Sequence, residues 1–106
     1  SRFYRVYENL ANNAIEAMSS GGTLTITSKV LDEHLIMTVS DTGHGMEAEV
    51  LSKVFDEFFT HKKHGGTGLG LAIVKSIVAD HSGEIAVESI LDQGTTFTIK
   101  LPILNP

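Results

Sequence analysis

The sequence predicts an α+β fold: a two-layer α/β sandwich with a mixed, mostly antiparallel sheet and helices on one of its faces. Three observations predict it. Apolar residues recur every three or four positions in residues 3–18 and 69–81. They alternate with polar residues in four short stretches, paired around turns. The resulting order is α-β-β-α-loop-α-β-β, two hairpins separated by helices and a loop.

In residues 3–18, Phe3, Val6, Tyr7, Leu10, Ala14 and Ala17 form one helical stripe, which Ser19-Ser20-Gly21-Gly22 stops. Thr23–Val30 and Leu35–Asp41 read as strands joined by a turn at Asp32-Glu33. Period two puts Leu35, Met37, Val39 and Asp41 on one face, so an acid finishes the buried side of a strand. Residues 47–55 read as a short helix, and residues 56–67 have no period and read as a loop. In Leu69–His81, Leu69, Ala72, Ile73, Ser76, Ile77 and Asp80 follow helical spacing, with Val74 and Val78 widening the stripe; Ser82-Gly83 ends it. Glu84–Ser89 and Thr95–Leu101 alternate as a hairpin around Asp92-Gln93-Gly94, and Pro102 closes the last strand. The sheet face away from the helices then carries Thr25, Thr27, Thr38, Thr96, Thr98 and Lys100, which suits water.

The 106 residues, 42% hydrophobic and 20% charged, make one globular domain or a fragment of one. A chain of this length buries about 65% of its unfolded surface, enough for one core without staples. The absence of cysteine removes disulfides and thiolate zinc sites. A net charge of −5 lacks the basic footprint of nucleic-acid binding. No apolar run approaches the ~18 residues of a membrane span, and there is no signal peptide.

Three clusters carry the chemistry. Asn9 and Asn13 lie four apart and share a helix face that Glu16 continues. Asparagine is a mediocre helix former, so the pair reads either as a solvated face or as two neutral oxygen donors for a hard cation such as Mg²⁺. Asp41-Thr42-Gly43-His44-Gly45 places a carboxylate at the mouth of the core, where it needs donors: a purine amine or a backbone turn. The run Gly43-His44-Gly45-Met46-Glu47-Ala48 also fits a loose dinucleotide pattern, but a glycine-rich loop follows it instead of a parallel βαβ unit. Six of the ten glycines fall within residues 43–70. Gly65-Gly66-Thr67-Gly68-Leu69-Gly70-Leu71 runs into a helix, where free N–H groups and the dipole favour phosphate. It is no Walker A motif, because no Lys-Ser/Thr follows the glycines. His61, Lys62, Lys63 and His64, just upstream, form a local positive cluster in an acidic chain.

Together and in this order the clusters resemble one family. Asn9-Leu10-Ala11-Asn12-Asn13-Ala14 resembles the N box of the GHKL (Bergerat-fold) ATP-binding domains, and Asp41-Thr42-Gly43-His44-Gly45-Met46 the G1 box. Phe55-Asp56-Glu57-Phe58-Phe59 resembles the F box and Gly66-Thr67-Gly68-Leu69-Gly70-Leu71 the G2 box. Gly94-Thr95-Thr96-Phe97, ahead of Leu101-Pro102, resembles the G3 element. The best match is the catalytic ATP-binding domain of two-component sensor histidine kinases, and it covers almost all of residues 1–106, an excised domain without its dimerisation and phosphoacceptor part.

The resemblance implies roles by position. Asn13 would bind Mg²⁺, with Asn9 as a second polar contact to metal or phosphate. Asp41 would accept from the adenine amine, with Gly45 backing the base and Thr95 assisting through water; Gly43 and Met46 complete this box. Residues 56–67 would be the ATP lid. Gly66, Thr67, Gly68, Leu69, Gly70 and Leu71 would cradle phosphate, with Lys62 or Lys63 neutralising charge and Lys62 favoured. Phe55, Phe58 and Phe59 would anchor the lid or face a partner helix. The implied reaction moves the γ-phosphate of ATP to a histidine on a separate helical dimerisation domain, ahead of a response regulator, in the cytoplasm and without direct membrane or nucleic-acid contact. None of the five histidines here fits the acceptor role.

Relatives that are ATPases resemble each other in carrying a water-activating glutamate where this chain has Asn9, and an amide is no general base at neutral pH. Glu8 points about 100° round the helix. Glu16 stands where many relatives carry a phosphate-binding lysine, which moves that task to the lid lysines. A GHKL-type ATPase and a serine kinase of the anti-sigma-factor type are the alternatives.

Overall fold

The computed structural model describes residues 3–56 and 70–103. Seven elements follow in order: α1 (Tyr4–Ala17), β1 (Leu24–Leu31), β2 (His34–Asp41), α2 (Ala48–Leu51), α3 (Gly70–Asp80), β3 (Glu84–Ile90) and β4 (Gly94–Pro102). The strands form one sheet in the order β1-β2-β4-β3. Each neighbouring pair is antiparallel, so among the described residues no parallel pair makes the sheet mixed.

Local chemistry sets the turns. Asp32 and Glu33 both take positive φ, 53° and 62°, which twists the first hairpin the way its strands twist. The second hairpin turns with Asp92 at φ 67° and Gly94 at φ 134°. Helix α3 ends with the Gly83 amide on the Val78 carbonyl at 2.9 Å and Ser82 left-handed at φ 62°. The positive φ at this cap belongs to Ser82.

The register sorts the side chains into rows across the sheet. On the helix side, Ile26, Val39, Phe97 and Val87 form one row, and Ser28, Met37, Ile99 and Ile85 the next. Val6 and Leu10 of α1 and Val74, Ile77 and Val78 of α3 close over Met37, Val39, Phe97 and Ile99 to make the core. Leu10, Val6, Val74, Val78 and Ile99 are its largest fully buried side chains. The opposite face carries the threonines as expected; the Thr27 and Thr38 hydroxyls meet, and Ser40 lies 2.8 Å from Thr96.

Two expectations change. The buried stripe of α3 centres on Val74, Ile77 and Val78, while Ser76 and Asp80 are exposed. Almost every position in the first half of this helix is apolar, so spacing alone left the orientation open, and docking onto α1 and the sheet selected it. The short helix covers only Ala48–Leu51; turns follow, and they carry Val54 and Phe55 back to the core, with Phe55 edge-to-face on Phe97 at 6.2 Å.

Helices α1 and α3 run antiparallel. Phe3 before α1 meets His81 after α3, ring centroids 5.2 Å apart, while Gly70 at the start of α3 lies beside Asn9. A methyl built on Gly70 would sit 3.4 Å from Asn9 Oδ1. The start of α3 therefore opens on the same helix face as the asparagine pair.

Candidate functional site

At one end of the helix-side face the apolar rows give way to a polar one. Cross-strand pairing sets Leu24, Asp41, Thr95 and Ser89 side by side on β1, β2, β4 and β3. Asp41 and Thr95 are the buried polar side chains here, 8% and 7% exposed. The sequence parity of Asp41 thus places it as expected, continuing the face of Met37 and Val39.

The carboxylate is half engaged. Asp41 Oδ1 accepts the Gly43 amide at 2.8 Å, which folds the chain back into a tight turn. Among the described residues nothing donates to Oδ2, and none of them holds a buried, unpaired side-chain oxygen or nitrogen. Oδ2 therefore opens from the core toward solvent, an acceptor ready for an N–H donor.

The loop after β2 is pinned on both sides by backbone. The His44 amide donates to the Ala17 carbonyl at 3.0 Å, and the His44 carbonyl accepts from Asp92 at 2.6 Å. Gly45 has φ 68°, and a Cβ there would collide with the Ile90 carbonyl oxygen; at Gly94 it would collide with the Asp41 carbonyl oxygen. The side-chain-free faces of Gly45 and Gly94 meet the chain's own backbone, and this contact alone demands glycine at both positions. Gly43 packs equally closely on Ala17.

Helix α1 supplies the next wall. Its last turn touches the loop through Ala17, and Asn13 lies four residues earlier on that face, followed by Asn9. Both asparagines are half-buried, and among the described residues neither side-chain amide has a hydrogen-bond partner. Asn12 is exposed on another face. Gly70, the first described residue of α3, lies beside Asn9. Neutral amide oxygens suit a hard, oxygen-seeking cation, and the backbone amides of a helix's first turn suit an anion.

The structure joins Asp41, Gly43, Gly45, Met46 and Thr95 at the polar end of the sheet, and sets Gly70 beside Asn9 on the helix face that Asn13 shares. Lys62, Lys63, Gly66, Thr67, Gly68 and Leu69, with Phe58 and Phe59, lie outside the described residues. Phe55 faces the core, with Lys75 Nζ 5.6 Å from its ring centre. The three described histidines each engage a backbone carbonyl through Nδ1: His34 that of Asp32, His44 that of Gly45 and His81 that of Ile77.

One residue escaped the sequence reading. Ser89 Oγ accepts the Met46 amide at 2.8 Å, meets Thr95 Oγ1 at 2.8 Å and donates to the Gly94 carbonyl at 3.2 Å. The signal was available: Ile85, Val87 and Ser89 share one parity, so a hydroxyl ends a core-facing row just as Asp41 does.

An open antiparallel four-stranded sheet with helices on one face is the fold of histidine kinase catalytic domains, and solved structures show the likeness directly. The chain superposes on a mycobacterial sensor histidine kinase, MprB, with a TM-score of 0.86 at 31% identity, covering 96% of this chain and 72% of that one. It superposes on full-length ShkA, solved in complex with AMPPNP, with a TM-score of 0.87 at 29% identity, covering 99% of this chain and 22% of that one. The sensor histidine kinase RppB of Synechocystis is 41% identical over 110 residues, 99% of this chain and 24% of RppB. The model of the histidine kinase-, DNA gyrase B-, and HSP90-like ATPases matches residues 1–105, and the chain belongs to that family. It spans a quarter or less of the curated relatives it matches. Among the described residues no helix is long and apolar enough to cross a membrane.

Proposed function

We propose that this chain is the catalytic domain of a cytoplasmic protein-histidine kinase module, which binds Mg²⁺-ATP and passes the γ-phosphate to a histidine on a separate helical dimerisation domain, for onward transfer to a response regulator. The single observation that carries this reading is the half-engaged carboxylate of Asp41, held by Gly43 through Oδ1 and open through Oδ2 at the end of an apolar row. An adenine amine supplies the N–H donor that Oδ2 needs, and the apolar side chains of the adjoining row suit the ring. Family membership and the kinase relatives support ATP as the nucleotide.

The rest of the site fits the phosphate end. Asn13, with Asn9 beside it, would hold Mg²⁺ through amide oxygens, and bound Mg²⁺ neutralises phosphate charge. The first amides of α3, together with Gly66, Thr67 and Gly68, would receive phosphate oxygens, and Lys62 or Lys63 would add positive charge. In phosphoryl transfer the protein mainly positions groups and stabilises charge, and these residues are suited to that work. Asn9 cannot take a proton from water at neutral pH, which favours transfer to a histidine over hydrolysis.

Titration calorimetry with ATP and Mg²⁺ tests the binding step; saturable heat is expected, and its absence overturns the proposal. Mixing with the dimerisation helices of the parent protein and labelled ATP tests transfer. An acid-labile, base-stable label on those helices is expected; an acid-stable one points to a serine acceptor, and rapid phosphate release without labelling points to an ATPase.

A further inference from the structure

The hydroxyl of Ser89 is fully committed, and that commitment fixes the polarity of its neighbour. A serine hydroxyl has one proton to donate and two lone pairs to accept with. Here it has three partners: the Met46 amide at 2.8 Å, the Gly94 carbonyl at 3.2 Å and Thr95 Oγ1 at 2.8 Å. The amide can only donate and the carbonyl can only accept. One lone pair of Ser89 is thus taken by Met46 and its proton goes to Gly94, which leaves a lone pair for Thr95. With all three bonds made at once, Thr95 donates its own proton to Ser89.

We infer that Ser89 is a positioning residue for base selection, acting through Thr95. With its proton turned toward Ser89, Thr95 Oγ1 faces the site with lone pairs only. Its cross-strand neighbour Asp41 presents Oδ2, also an acceptor. Among the described residues, the base end of the site therefore offers acceptors on two adjacent strands and no hydroxyl donor. A 6-amino purine brings two N–H donors to such a surface, directly or through a bridging water. A 6-oxo purine keeps one donor on that edge, its N1–H, but brings a carbonyl oxygen in place of the amine, which meets only lone pairs and is left unpaired. The chemical class selected is the 6-aminopurine nucleoside triphosphate, and the selection depends on a hydroxyl on β3 that need not touch the ligand. The three bonds also tie the loop after β2 to the β3–β4 turn, so Ser89 keeps Met46 and Thr95 in fixed relation. This inference rests on the proposed placement of the base at Asp41.

The test compares ATP with inosine triphosphate, whose 6-oxo group and N1–H replace the 6-amino group and bare N1, by equilibrium binding to the whole chain. The wild-type chain should prefer ATP clearly. In Ser89→Ala the Thr95 hydroxyl is released and can turn to donate, so the ATP-to-ITP affinity ratio should fall by about fivefold, the worth of one neutral hydrogen bond. Ser89→Thr keeps the hydroxyl and should restore the ratio to within about twofold of wild type. In a Thr95→Val background, Ser89→Ala should leave the ratio where Thr95→Val alone put it, since the relay has already lost its second member. A general loosening of the fold would weaken both nucleotides alike and leave the ratio intact. Should the alanine variant lose its melting transition, Ser89→Cys, close in size and a poor hydrogen-bonding group, takes its place with the same expected fall. A wild-type preference that survives intact in Ser89→Ala or Ser89→Cys overturns the inference while leaving the adenine site standing. So does a ratio that falls further when Ser89→Ala is added to Thr95→Val. A wild-type chain that binds both nucleotides equally overturns the placement of the base itself.

Discussion

Replacing Asp41 by asparagine changes one atom of the site and reverses its hydrogen-bonding sense. Asp41 Oδ1 accepts the Gly43 amide at 2.8 Å, and the asparagine carbonyl oxygen can keep that bond, so the turn after β2 survives. The amide nitrogen then occupies the place of Oδ2 and points two N–H donors at the adenine amine, which is itself a donor. A charge-assisted hydrogen bond is lost and a donor faces a donor. Hydrogen bonds to charged groups contribute roughly 1.5–3 kcal/mol, which converts to an ATP affinity weaker by about ten- to a hundredfold. Binding of inosine triphosphate should weaken less or improve, because its 6-oxo group now meets a donor. Calorimetric titration of wild type and Asp41→Asn with both nucleotides, alongside melting curves to show that the fold is retained, measures all of this. Equal ATP affinities in two equally folded proteins would refute the assignment of Asp41 to the base.

Three further outcomes follow from the geometry. Asn13→Ala removes a half-buried amide with no partner among the described residues, so it should leave the melting temperature near wild type while raising the Mg²⁺ concentration needed for half-maximal nucleotide binding by about tenfold or more; a Mg²⁺ titration that does not move removes Asn13 from the metal. Gly94→Ala places a methyl against the Asp41 carbonyl at φ 134° and should cost about 2–4 kcal/mol in denaturant unfolding, with nucleotide affinity falling because Asp41 itself must shift. Leu10→Ala empties a fully buried position under the sheet and should cost about 2–5 kcal/mol, read as a lower denaturant midpoint with an unchanged slope.

Much of this arrangement is legible in the sequence itself. Alternation along Leu35–Asp41 already assigned the acid to the core side, and the register confirms it by setting Asp41 opposite Thr95. The four-residue interval between Asn9 and Asn13 already placed both on one helix face, and the Gly70 contact shows that this face looks toward the start of α3. What escaped was whatever depends on neighbours distant in sequence. The order β1-β2-β4-β3 places β2 beside β4 across more than fifty intervening residues, and no local pattern encodes that choice. Ser89 looked like an ordinary polar strand residue because its role comes from Met46, on another loop, and from Thr95, on another strand. The orientation of α3 was ambiguous for a different reason: a helix apolar on most sides has no single moment to read, so its partners choose the buried face.

The sheet consists of two hairpins, β1–β2 and β3–β4, each closed by a short local turn and joined within the sheet by the β2–β4 ladder. Asp41 belongs to the first hairpin, Thr95 and Ser89 to the second, so the base end of the site straddles the junction between them. Each hairpin can form from contacts near in sequence, whereas joining them requires closing a long intervening loop, the slow kind of step in folding. A nucleotide bound as proposed would touch both halves at once and bind only when they are docked. It would therefore act as a clamp on the least local contact of the sheet, and saturating ATP should suppress amide exchange first along the β2–β4 ladder, well before it affects the two turns.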